Sequence, residues 1–249
     1  MQMDIRKITF PKKIFNEIPE NERLLFILLG HFNNELAILH KLLVYSMAKP
    51  RDDSEHELKA HNAQMLFLAR LYAGKLFEGW EVVRKKILST KEFSMEYEAM
   101  SSVEGKAAFD ELKKYFGGTN RIANVRNKYA FHYSSDDDIR EQYGKFDNKN
   151  EFIIYTANFA NSLYYMSDEI INRAIFEIFG AETVQKSLDL FFNELKKLGE
   201  WFFDFTGGYL VIILDKYFKE RFAQLQWEII TINNPPKIDE ISIPFFVTH

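Results

Sequence analysis

Apolar residues recur every three or four positions over most of the chain, the spacing that lines one face of an α-helix. Leu25, Leu28, Phe32, Leu36, Leu39 and Leu43 form the first such stripe, entered through the acidic segment Pro19-Glu20-Asn21-Glu22 and ended by Pro50. A second stripe opens near Ser54 and carries Leu58, Met65, Leu68, Tyr72, Leu76, Trp80, Val83 and Ile87, which predicts one long helix with a buried face. Residues 91–105 are polar and ambiguous. A short helix over Ala107 to Phe116 stops at Gly117-Gly118, where glycine supplies the positive φ of a helix C-terminus. Thr119 then fits as the N-cap of a helix running into Phe131.

Beyond His132 the pattern turns polar, and residues 134–156 read as a loop with a small hairpin ending in Phe152 to Tyr155. Helical period returns with Phe159, Leu163, Met166, Ile170, Ala174 and Ile178, closed by Gly180. The last long segment steps through Val184, Leu188, Phe191, Leu195, Leu198, Phe202, Phe205, Tyr209 and Ile212, a seam that needs a partner along its length. Gly207-Gly208 would break this helix or leave its register intact. The stretch 232–249, with three of the six prolines, reads as an extended arm packed on the body. Long helices, short connections and at most one minor hairpin predict an all-α fold, a helical bundle in a single domain spanning 1–249.

Composition narrows what such a bundle can do. The 249 residues include 24 Phe, 12 Tyr, 3 Trp and no Cys, so thiol chemistry and Cys-ligated metals are excluded and the rings read as core filling. The most apolar run, Trp201 to Leu214, contains Asp204 and falls short of the ~18–20 residues of a membrane span. With no apolar signal core at the N-terminus, the expectation is a cytoplasmic protein without membrane contact. Net charge is −4, yet Lys106 to Tyr133 holds six cations against Asp110 and Glu111, an excess of +4 that leaves −8 elsewhere. Any nucleic-acid contact is therefore expected on that patch.

Few groups outside the six histidines titrate near neutrality. His56 and His61 are five apart, not the four that would set both imidazoles on one helix face, so no metal site is expected there. Asp136-Asp137-Asp138 lacks the spaced oxygens of a calcium loop and reads as a solvated turn. There is no phosphate loop or nucleophile elbow. What remains is Arg126-Asn127-Lys128-Tyr129-Ala130-Phe131-His132. A similar spacing at Arg51 and His56 falls in a charged interhelix linker, whereas Arg126 lies on a helix followed at once by a polar loop.

An arginine, a polar residue directly after it and a histidine four to six positions on resembles the signature of HEPN domains (higher eukaryotes and prokaryotes nucleotide-binding). The resemblance covers this motif and a helix order compatible with a four-helix core, and it implies a metal-independent endoribonuclease in a toxin or phage-defence setting. RNA would be the substrate, a homodimer the assembly, and an antitoxin or other protein a possible partner; no cofactor is implied. In that reading His132 is the general acid or base, Arg126 stabilises charge on the phosphorane, and Asn127 orients the phosphate or the imidazole. Lys128, Arg121 and Tyr129 would contact substrate. Two other readings stay open: a HEPN-like module that binds RNA, a nucleotide or a protein without cleaving, and a helical interaction protein in which the motif is fortuitous. On an ideal helix Arg126 and His132 are 120° apart, so either the helix ends before His132 or a second chain completes the site.

Overall fold

The structure, a computed structural model, describes residues 2–47, 54–220 and 226–248. Pro50 and Arg51, the expected helix stop and the second motif-like arginine, lie outside the described residues. The chain is an all-α helical bundle, with one two-stranded sheet among the described residues. In order come β1 (Gln2–Thr9), α1 (Lys12–Phe15), α2 (Glu20–Met47) and α3 (Glu55–Val83), which continues as a π-turn over Arg84–Leu88. Then follow α4 (Lys91–Met100), α5 (Val103–Phe116), α6 (Arg121–Val125), a second π-turn (Arg126–Ala130), α7 (Asp136–Tyr143), α8 (Tyr165–Phe179), α9 (Val184–Phe218) and β2 (Gln226–Asn233).

Local chemistry explains most boundaries. At the start of α3, Ser54 and Glu57 form a capping box: the Ser54 hydroxyl donates to the Glu57 carboxylate at 2.6 Å, and the carboxylate also accepts from the Ser54 N–H at 3.0 Å. Asn120, not Thr119, caps α6, its side-chain oxygen accepting from the Ala123 N–H at 2.8 Å. Neither Gly117 nor Gly118 has positive φ; that geometry is found at Gly180, with φ of 60°, where α8 ends. α9 runs unbroken through Gly207-Gly208.

The expected loop at 134–156 contains α7. Ser135 caps it, accepting from the Asp138 N–H at 3.1 Å, and Asp136 to Asp138 fill its first turn, where carboxylates oppose the helix dipole. The hairpin expected near Phe152 reduces to one bridge between Tyr155 and Leu163. The strands form elsewhere: β1 and β2 pair antiparallel, from Gln2 opposite Asn233 to Thr9 opposite Gln226.

Packing gathers the chain into two compact units whose boundary falls inside α2, α3, α5 and α9. Unit 1 comprises residues 1–35, 81–113 and 200–237. Its centre is an aromatic cluster of Tyr97, Phe109, Phe205 and Tyr209, with Phe109 and Phe205 stacked at 4.8 Å and Tyr97 and Tyr209 at 5.3 Å. Burial pushes the Tyr97 hydroxyl up to about 12. Unit 2 comprises residues 36–80, 114–199 and 238–249. Here α3 and α9 approach closely at Gly199, where any Cβ would meet the buried Tyr72 hydroxyl. The C-terminal arm packs as expected: Phe245 and Phe246 lie on Ala60, Ala63 and Leu163, and Asn161 exchanges two 2.8 Å hydrogen bonds with the Val247 backbone.

Candidate functional site

All six residues singled out around the motif fall in unit 2, on α6, the π-turn and the residues just after it. Glu194 of α9 fixes the approach to the motif. It accepts from the Tyr115 hydroxyl at the end of α5 and pairs with Arg121 at the start of α6, 3.2 Å away. The Arg121 guanidinium also lies over the Phe179 ring at 5.0 Å. Burial and the neighbouring carboxylate push the Tyr115 hydroxyl far above its ordinary range.

The π-turn begins at Arg126. Such wide turns interrupt the regular i→i+4 ladder and occur often at functional sites. Arg126 is held on three sides: Nε donates to Glu78 of α3 at 2.8 Å, one terminal nitrogen donates to the same carboxylate at 2.5 Å, and the other donates to Asn127 Oδ1 at 3.0 Å. The Phe77 ring lies 5.6 Å beneath the guanidinium. Asn127 thus orients Arg126. Lys128 pairs with Asp138 of α7 at 2.8 Å. That contact raises the Lys128 ammonium above, and lowers the Asp138 carboxyl below, their ordinary values. Tyr129 is half-buried and its hydroxyl is raised by burial.

The helix stops at Ala130, so of the two ways out of the 120° difficulty the chain takes the first: His132 lies past the helix end. Gly74 of α3 seats this end of the motif, since a Cβ there would come within 2.6 Å of the Phe131 ring and 2.9 Å of the Ala130 methyl. His132 itself is exposed and, among the described residues, makes no side-chain hydrogen bond or ion pair. Arg126 thus opens the π-turn with its guanidinium held in place, and His132 follows the far end of the same turn with its imidazole open to solvent.

In unit 2, three of the six cations counted along the sequence are met by carboxylates: Arg121, Arg126 and Lys128 pair with Glu194, Glu78 and Asp138. A phosphate reaching this surface must compete with those partners. Glu78, Gly74 and Glu194 were not among the sequence candidates; the one hint was an acid, Glu78, amid the apolar stripe of α3. Among the described residues no three His, Cys, Asp or Glu side chains cluster as metal ligands, and no helix is long and apolar enough to cross a membrane. Comparison with known protein families, with curated proteins and with solved structures finds no match to this chain.

Proposed function

We propose that the chain is a HEPN-type endoribonuclease whose reacting groups are Arg126 and His132. The observation that supports this reading is a guanidinium held by Glu78 and Asn127 at the start of a π-turn, followed just past the end of that turn by an imidazole open to solvent. RNA supplies its own nucleophile: the 2′-oxygen bonds to the adjacent phosphorus as the P–O5′ bond breaks, leaving a 2′,3′-cyclic phosphate and a 5′-hydroxyl. One proton leaves the 2′-hydroxyl and one is delivered to the 5′-oxygen, and an imidazole with a reference pKa of ~6.5 is suited to either transfer. Arg126 offers fixed donors to the charge that builds on the phosphorane oxygens. Two copies of the motif facing each other across a homodimer axis would supply a second imidazole for the second transfer.

The test is cleavage of RNA in EDTA by wild type, Arg126→Ala and His132→Ala, with the ends of the products identified. The reading requires cyclic-phosphate ends from the wild type and their loss in both variants, together with a dimer by light scattering. A monomer without cleavage overturns it. The pairing of Arg121, Arg126 and Lys128 with carboxylates favours a second reading, a non-catalytic module that binds RNA or a protein. Binding that survives His132→Ala, with no cleavage by the wild type, would support that reading instead.

A further inference from the structure

Unit 2 contains a cleft of about 970 Å³ that the motif does not use. Its apolar lining includes Met65, Leu66, Phe176, Leu188 and Phe192, within the size range of small-molecule sites. Four carboxylates line it, Glu169 and Glu177 from α8 and Glu182 and Asp189 from α9 and the residues before it, against one cation, Arg173. Glu177 is engaged by Lys145 at 2.7 Å and by Gln142 at 2.9 Å, and Glu182 by Lys186 at 2.5 Å. Asp189 has only the neutral Gln185 amide, at 2.9 Å, and Glu169 has no cation within ion-pair distance among the described residues. Arg173 is stacked over the Phe146 ring at 5.0 Å.

The second observation is Asn172. It lines the same cleft and is 5% exposed, and its Oδ1 accepts no hydrogen bond among the described residues. A buried amide oxygen without a donor is uncommon in folded chains, and a ligand N–H would satisfy it. Exposed carboxylates without a cation partner on two helices, a buried acceptor and an apolar lining fit the same chemistry. That chemistry is nitrogen donors carrying positive charge, joined by methylene groups.

We propose that this cleft binds a linear aliphatic polyamine. One ammonium donates to Asn172 Oδ1, the methylenes lie along Leu66 and Leu188, and the remaining charge is met by Glu169 and Asp189. The site is independent of the motif, so its test reads binding and not cleavage.

The experiment is calorimetric titration of the full chain with spermidine, repeated with Asn172→Leu, Asp189→Asn and the surface control Asp136→Asn, each checked for wild-type circular dichroism. Wild type and the control should bind one spermidine, while Asn172→Leu and Asp189→Asn should each weaken binding about tenfold or more, the size of one hydrogen bond to a charged group. Binding should fall as salt rises, and 1,8-octanediol, a neutral chain of comparable length, should not compete. Equal binding by all four proteins would mean general attraction to an acidic chain and overturn the proposal. No heat with wild type, or competition by the diol, would also overturn it.

Discussion

The two units differ in how they treat polar groups taken out of water. In unit 1 the buried polar side chains are met: Glu22 accepts from the Tyr217 hydroxyl at 2.7 Å and from Lys216, and Thr206 donates to the Phe202 carbonyl at 2.7 Å. In unit 2, Arg70 Nε, Gln142 Oε1 and Asn172 Oδ1 are buried without a hydrogen-bond partner among the described residues. Each such orphan costs roughly 1–3 kcal/mol, so unit 2 retains groups that folding alone would remove. Each unit also holds a π-turn, and again they differ. Arg84, opening the first, bonds Glu81 one turn back in the same helix, whereas Arg126, opening the second, reaches Glu78 on a different one. A π-turn alone therefore does not mark a site; what it presents, and to what, does.

If unit 1 is a saturated scaffold, damage to its core should have the largest effect. Phe109 is fully buried between Tyr97 and Phe205, and Phe109→Ala leaves a cavity among rings that cannot collapse into it. The expected loss is about 3–5 kcal/mol by urea denaturation. A loss under 1 kcal/mol would show that the cluster is loosely packed. Gly199→Ala tests whether unit 2 is equally tight where α3 and α9 meet. The added methyl must displace the buried Tyr72 ring, which should cost about 1–3 kcal/mol.

At the motif a smaller effect is expected. Arg126 and Glu78 are both partly exposed, so Glu78→Ala should change stability by at most about 1 kcal/mol. Its effect on chemistry should be larger in proportion: Arg126 loses the partner that holds two of its nitrogens, and the proposed cleavage should fall while RNA binding rises at low salt. Unchanged cleavage would mean that Asn127 and Phe77 suffice to position the guanidinium.

Legibility in the sequence follows the same physical lines. α2, α3 and α9 were readable because each buries one stripe, although Leu28, Leu58 and Val184 are exposed, and Leu29 and Ile213 are the buried residues beside Leu28 and Ile212. α7 was not readable by period, because DDDIREQY has too little apolar content; its cap and first-turn charges specify it. The β1–β2 ribbon joins the two ends of the sequence, and alternation in Met3-Asp4-Ile5-Arg6 gives no sign of a partner more than 200 positions away. At the motif the residue types were legible and their partners were not. Glu78 and Glu194 reach Arg126 and Arg121 only through tertiary packing, as does the concavity that sets Asn172 beside Glu169 and Asp189.

The smallest stability effect discriminates best between the units. Asn172→Leu replaces a buried amide whose oxygen accepts no hydrogen bond among the described residues with an apolar side chain of similar volume, removing a desolvation cost without opening a cavity. In unit 1 the analogous change, Thr206→Val, would break the bonds to Phe202 and Asn33 and should destabilise by about 1 kcal/mol. Asn172→Leu should instead leave the midpoint of urea unfolding unchanged or raise it, by up to about 1 kcal/mol. A residue whose replacement stabilises the fold is not held in place by its contribution to stability. Paired with the spermidine titration, the variant separates the two possibilities: gained stability with lost binding marks Asn172 as a ligand contact, whereas a loss of several kcal/mol would make it a structural residue and erase the contrast between the units.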